Sequence, residues 1–324
     1  MSGRMSIREG FMAGPGPDSL RGAALLWVKG LCMGGADIIP GVSGGTIAFI
    51  TGIYEQLVDA IRSFDAAFVR RLLVLDIPGA LATAHVRFIV CLLFGILTAV
   101  VTMASAMNHM LHAHPVEIWS LFFGLIAASI FVVGREIRPI NAANLAFVAL
   151  GAVGSYLLVG MIPVSTPETL PFIFLCGSIA ICAMILPGIS GAFLLLMLGK
   201  YEYVTRMLKA PFVWDNFLVL AVFAAGACVG IVLFSRVLHF LLHRFHAATI
   251  SVLTGFMIGA LRKVWPWKEV LESSVIRGKM HVLREQNVLP DGLSGEVFAA
   301  VGLVLAGAVI VLVLERLSSS RRQS

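Results

Sequence analysis

The chain has 324 residues, of which 59% are hydrophobic and only 13% charged, and its mean hydropathy is +0.94. A water-soluble domain carries about 25% charged residues, so soluble folds, disordered chains and nucleic-acid binders are excluded. The net charge of +6, from 24 Lys and Arg against 18 Asp and Glu, sits largely in short loops between apolar runs, which is the pattern of a polytopic membrane protein.

In chain order, residues 1–22 carry Arg4, Arg8 and the run Gly14-Pro15-Gly16-Pro17. They lack the apolar stretch and small-residue cleavage site of a signal peptide and read as a flexible cytoplasmic tail. Gly30–Tyr54 is apolar, with Asp37 as its only charge, and is broken at Pro40-Gly41-Val42-Ser43-Gly44-Gly45. Three spanning helices are then expected at Phe88–Met107, Ile118–Gly134 and Ala142–Ile162. Leu170–Gly199 is an uncharged run of 30 residues, broken at Pro187-Gly188-Ile189-Ser190-Gly191. Three more spans follow at Asn216–Ser235, Phe245–Leu261 and Val297–Leu314.

As one straight helix the 30-residue run would measure about 45 Å, against a hydrocarbon core of about 30 Å. Two half-helices of about 15 residues, folded as a re-entrant hairpin, fit better; a proline kink in a long tilted helix is the competing reading. Aligning Pro40 on Pro187, an offset of 147, matches seven of sixteen positions: Pro, Gly, Ser, Gly, Gly, Tyr and Glu. Gly95, His112, Ser120 and Gly124 recur at an offset of 131, and Phe147 and Gly151 at 151. The expected fold is therefore an all-α polytopic membrane protein of two repeats, each a broken re-entrant hairpin followed by three transmembrane helices. The first repeat spans 23–163 with its hairpin at about 23–62. The second spans 164–315 with its hairpin at about 170–206, and 316–324 form a tail.

Loop charge puts the N-terminal tail and the Arg62–Arg87 linker inside and the His109–Pro115 loop outside. Each unit then crosses an odd number of times, so the second copy is inverted, as in transporters with discontinuous helices. Inversion places the Arg262–Arg284 loop outside, although positive-inside counting in that half alone prefers the reverse.

Ser43 and Ser190 are natural N-caps for the helices that follow. Gly41, Gly44 and Gly45, like Gly188 and Gly191, allow close backbone approach to a ligand, and Thr46 adds a hydroxyl. Two converging helix N-termini favour an anion, phosphate above all; the competing reading is that these glycines only permit tight helix packing. Gly52 and Gly199 read as packing positions. Candidate coupling or gating residues are Asp37, which could carry a proton or pair with Lys29, and Glu55 and Glu202, which lie 12 residues beyond Ser43 and Ser190 and could equally be interfacial anchors. Arg87, Arg236 and Arg262, with Lys200, could draw in an anionic headgroup or be ordinary positive-inside residues. The cysteines, five in number (Cys32, Cys91, Cys176, Cys182, Cys228), read as small core residues. His109, His112 and His114 lack supporting ligands, so no metal or cofactor is expected.

The run Lys29-Gly30-x-x-Met33-Gly34-x-Ala36-Asp37-Ile38-Ile39-Pro40-Gly41-Val42-Ser43-Gly44-Gly45-Thr46, then Gly52-x-Tyr54-Glu55, resembles the opening signature of the polyprenyl-phosphate transporter family (PopT type), long filed as a domain of unknown function. Ala183-Met184-Ile185-Leu186-Pro187-Gly188-Ile189-Ser190-Gly191 with Gly199-x-Tyr201-Glu202 is similar to the second signature. Leu253-x-Gly255-x-Met257-Ile258-Gly259-x-Leu261-Arg262-x-x-Trp265-Pro266-Trp267 is similar to a later one. The resemblance covers about residues 23–315 and departs from the pattern at Ala192, where Ser is expected. It implies a multi-pass protein of the bacterial cytoplasmic membrane that returns undecaprenyl phosphate from the outer to the inner leaflet, its partners being that lipid and the bilayer.

Two other readings stay open. A membrane-embedded polyprenyl-diphosphate phosphatase would also use a Pro-Gly-x-Ser loop. Here, however, Gly follows each serine where an Arg would stabilise the transferring phosphate. A small-anion secondary transporter is the third.

Overall fold

Uninterrupted apolar runs satisfy their backbone groups internally as long helices, the form that a bilayer requires. The computed structural model describes residues 5–38, 42–161, 164, 166–208, 210–276, 279–290, 292 and 294–319. Ile39, Pro40 and Gly41, at the first break, lie outside the described residues.

The long helices are α7 (Val86–Ala113), α8 (Pro115–Gly134), α9 (Ala142–Val159), α13 (Trp214–Arg244), α14 (His246–Ala260) and α15 (Gly295–Ser319). Five of them are long and apolar enough to cross a membrane. The sixth, α14, has 15 residues, about 22 Å, and falls short of a hydrocarbon core of about 30 Å. Nine of its residues are buried, because it is packed by neighbours rather than by lipid.

The second break is present as expected, and on either side of the first one helix ends at Asp37 and the next begins at Gly44. The first hairpin is α2 (Leu20–Asp37), α3 (Gly44–Ile50) and α4 (Tyr54–Arg62); the second is α10 (Leu170–Ile185), α11 (Gly191–Met197) and α12 (Tyr201–Leu208). The expectation of two equal halves fails, since α3 and α11 have only seven residues each. Gly52 and Gly199 end them at φ of 68° and 63°, a left-handed conformation that favours glycine. These two glycines are therefore turn residues rather than packing residues, and Glu55 and Glu202 open new helices instead of extending the old ones.

Small residues set which helices pack together. A methyl at Gly30 would strike Leu92 O of α7, and one at Gly177 would strike Phe223 O of α13. Likewise Gly151 of α9 lies against Val252 O of α14, and Gly124 of α8 against Val304 O of α15. In the last helix it is Gly307, against Leu121 O, that makes this contact; nothing lies within 4 Å of a methyl at Gly302.

Two segments differ from the sequence expectation. The N-terminal segment is not a featureless tail. Ser6 and Glu9 form a capping box on α1 (Ile7–Ala13), and α1 packs on α6 (Ile77–Thr83) with Gly10 against Pro78. The Trp265–Gly295 loop contains an antiparallel hairpin, β1 (Lys268–Ile276) with β2 (Lys279–Asn287), so the chain is mostly rather than wholly helical. Trp265 Nε1 donates to Val288 O at 2.9 Å, and Glu285 bridges Lys263 at 2.6 Å and Lys268 at 3.2 Å. In the linker between α4 and α7, α5 (Ala66–Leu73) buries none of its side chains and exposes Val69, Leu72 and Leu73, the character of a helix lying on an interface.

Candidate functional site

The two hairpin tips meet. Ser43 caps α3, its hydroxyl accepting the Gly45 N–H at 3.1 Å. The same hydroxyl faces Leu186 O at 3.1 Å and Met184 O at 3.3 Å on the opposite hairpin. In return, Gly188 N–H donates to Thr46 Oγ1 at 3.0 Å. Gly188 holds φ at 83° against Met257, and Gly45 lies so close to Ile185 O that any side chain would collide with it. Ser190 caps α11, accepting Phe193 N–H at 3.4 Å, and Gly191 packs on Ala180 O.

Every described tip residue from Ser43 to Thr46 and from Gly188 to Gly191 is buried, and Ser43 and Thr46 are each only 1% exposed. The tips therefore form a sealed junction whose named donors and acceptors are spent on one another. Gly41, assigned to the same cluster from sequence, lies outside the described residues.

Asp37 ends α2 and turns to the start of α3, where its carboxyl accepts Gly44 N–H at 2.7 Å. A negative group at a helix start is favourable. Eight residues of helix, about 12 Å, separate it from Lys29. The Lys29 ammonium donates to Thr51 O at the end of α3, at 2.7 Å, so each of the two residues makes a helix-end contact. Lys200 similarly donates to Thr166 O at 2.7 Å.

The remaining predicted residues are dispersed. Arg87 is buried and holds the N-terminal segment through Gly14 O, Pro17 O and Asp18, which accounts for its burial without a ligand. Arg262 donates to Tyr156 O at 3.1 Å and lies over the Tyr156 ring. Glu55 approaches His246 at 3.5 Å, and Glu202 stands exposed in the first turn of α12. Arg236 lines an open cavity with Arg62, His85, His239 and Arg244. The sequence reading had missed that group apart from Arg236, although Arg236, His239 and His243 fall on one helical face at i, i+3 and i+7.

Five helices long and apolar enough to cross a membrane, with two broken hairpins meeting tip to tip, define a polytopic membrane protein. The chain belongs to the family described as VCA0040-like, undecaprenyl phosphate translocase-like, whose model matches residues 33–281. It is similar to the polyprenyl-phosphate transporter of Vibrio cholerae serotype O1, with 38% identity over 90% of this chain and 95% of the relative. It is also similar to the polyprenyl-phosphate transporter of Staphylococcus aureus, with 29% identity over 74% of this chain and 85% of that one. No solved structure matches. The apolar helices and the family together make it a multi-pass protein of a bacterial membrane.

Proposed function

We propose that the protein carries a polyprenyl phosphate, undecaprenyl phosphate in the first place, across the cytoplasmic membrane from the outer to the inner leaflet for reuse in envelope synthesis. It does so as a transporter and not as a phosphatase. The observation that carries this reading is the junction of the tips: two glycine-serine elbows from separate hairpins meet through side-chain-to-backbone hydrogen bonds. When the tips part, Ser43, Thr46 and the Gly44, Gly45, Gly188 and Gly191 amides become donors to the phosphate headgroup, while the prenyl chain stays in lipid. Gly44 N–H would then pass from the Asp37 carboxyl to the arriving anion.

We further read the chain as two inverted repeats. The pairing of α2 with α7 and of α10 with α13 through glycine contacts, matched by α9 with α14 and α8 with α15, supports this. His85 at the start of α7 shares a cavity with Arg244 at the end of α13, as corresponding helices of opposite direction would. That end is the cytoplasmic one by its arginines.

Reconstitution into vesicles with a fluorescent polyprenyl phosphate tests the reading. Leaflet exchange well above that of empty vesicles is expected, with no release of inorganic phosphate. Exchange equal to empty vesicles defeats it, and phosphate release from the diphosphate lipid would restore the enzyme alternative.

A further inference from the structure

Where α4, the start of α7 and the end of α13 come together lies an open cavity of about 880 Å³. Its basic lining is Arg62, Arg236 and Arg244 with His85, His239 and His243; its carboxyls are Asp59 and Asp65. Both acids are already engaged. Asp59 Oδ1 meets His239 Nδ1 at 2.7 Å, and Asp65 caps α5 by accepting Phe68 N–H at 2.9 Å. Among the described residues, Arg236 is exposed and has no ion-pair partner.

The cavity also has an apolar wall, Phe240, which is 57% exposed. Helix α13 has 31 residues, about 46 Å, so its last turns reach beyond a hydrocarbon core of about 30 Å into the headgroup layer. A cavity at that depth, with an excess of arginine beside an aromatic wall, suits a phosphate group attached to an apolar chain.

One contact is a restraint. Arg62 Nη1 lies 2.8 Å from His239 Nε2. An arginine can only donate, so Nε2 carries the lone pair and Nδ1–H points to Asp59. A proton on Nε2 would set donor against donor, and Arg62 would leave while the Asp59 bond persists.

We propose that this cavity is a binding site for a phosphate monoester headgroup, separate from the tip junction, in which His239 holds Arg62 back until protonation releases it to the anion. That the natural occupant is the lipid headgroup rests on the transport reading above; the chemistry of the cavity does not. The groups facing His239 are Asp59 and Arg62 from α4, Asp65 and His85 from the linker, and Arg236, His243 and Arg244 from its own helix. Glu55, one turn before Asp59, is engaged by His246 at 3.5 Å. His243 Nδ1 meets His239 O at 3.0 Å. Burial holds His85 below the ordinary histidine range, with Asp59 pulling the other way. Affinity should be lower at pH 8 than at pH 6, because loss of the proton restores the bond from Arg62 to His239.

The test uses the full-length protein in phosphatidylcholine nanodiscs, with farnesyl phosphate, farnesol and inorganic phosphate as calorimetric probes at pH 6 and pH 8. Farnesyl phosphate should bind and farnesol should not. Inorganic phosphate binding as tightly would assign the cavity to the free anion and overturn the lipid source. Arg236→Gln with Arg244→Gln should weaken farnesyl phosphate at least tenfold at pH 6 without changing thermal unfolding. His239→Gln should reduce the loss of affinity between pH 6 and pH 8, and an unchanged loss would remove His239 from the release of Arg62. Affinities within twofold of wild type in both variants overturn the proposal. Should exchange of polyprenyl phosphate in vesicles continue beside that result, the transport reading stands alone. Arginine-dependent binding with no exchange by the wild type would leave the cavity assigned and the transport reading lost.

Discussion

Thr46→Val keeps the shape of the side chain and removes the hydroxyl that accepts Gly188 N–H at 3.0 Å. While the tips are docked, that N–H is buried with no acceptor in its place; once they part, water reaches it. A buried donor left unpaired costs about 1–3 kcal/mol. At about 1.4 kcal/mol per tenfold, that shifts the ratio of parted to docked tips by about 5- to 140-fold. Ile189, only 8% exposed beside Gly188, is the reporter: Ile189→Cys in a background without the native cysteines, labelled by a membrane-impermeant maleimide. Thr46→Val should raise the labelling rate at least about fivefold, and Thr46→Ser, which retains the hydroxyl, should not. An equal rate in the two variants would refute the idea that this hydrogen bond keeps the tips together.

Three further outcomes are expected. Asp37→Asn keeps an oxygen for Gly44 N–H but carries no charge, so exchange in vesicles should persist with a flattened pH profile; an unaltered profile would remove Asp37 from proton coupling. Among the described residues the buried Tyr54 hydroxyl has no hydrogen-bond partner, so Tyr54→Phe should leave thermal stability unchanged or raise it by up to about 1 kcal/mol, while a clear loss in a melting experiment would show a missed partner. At the β1–β2 hairpin, burial and then Lys263 push Lys268 down to about 8, partly opposed by Glu285. The proton thus leaves the folded hairpin earlier than the unfolded one, and hairpin stability should rise with pH from about 8 towards 10.5. Burial works to raise Glu285, but Lys263 and Lys268 outweigh it and hold it below its usual 4.5. Stability should therefore fall as pH drops through that value, followed by the thermal onset of tryptophan fluorescence change, and Glu285→Gln should abolish the acid limb.

Five of the six expected spans and the two hairpins were legible because hydropathy and Pro-Gly-x-Ser-Gly carry direct physical meaning in lipid, whereas α14, buried by its neighbours, reads as a span by hydropathy alone. The length of α3 and α11 was not. Gly52 and Gly199 fit a packed helix as well as a turn, and only their positive φ decides between the two. The Ser6–Glu9 capping box was readable in principle but overlooked among nearby Gly-Pro turns. For Asp37, the sequence left a proton role and a pairing with Lys29 side by side and did not show Gly44 N–H, which the chain folds back to bring within 2.7 Å. The Asp59–His239–Arg62 group joins residues some 177–180 positions apart. No periodicity reports such a contact, although the basic face at the end of α13 hinted at one partner.

The glycine contacts between α2 and α7, and between α10 and α13, have a mechanical consequence. Backbones meeting almost atom to atom act as riveted planks, so neither elbow can swing without carrying its long helix along. What can yield is the seam where the planks touch, fastened by a handful of hydroxyl and amide bonds. On the transport reading proposed above, opening would be a rocking of stiff bodies about a weak joint, with the effort set by a few polar atoms rather than by the bulk of the apolar core.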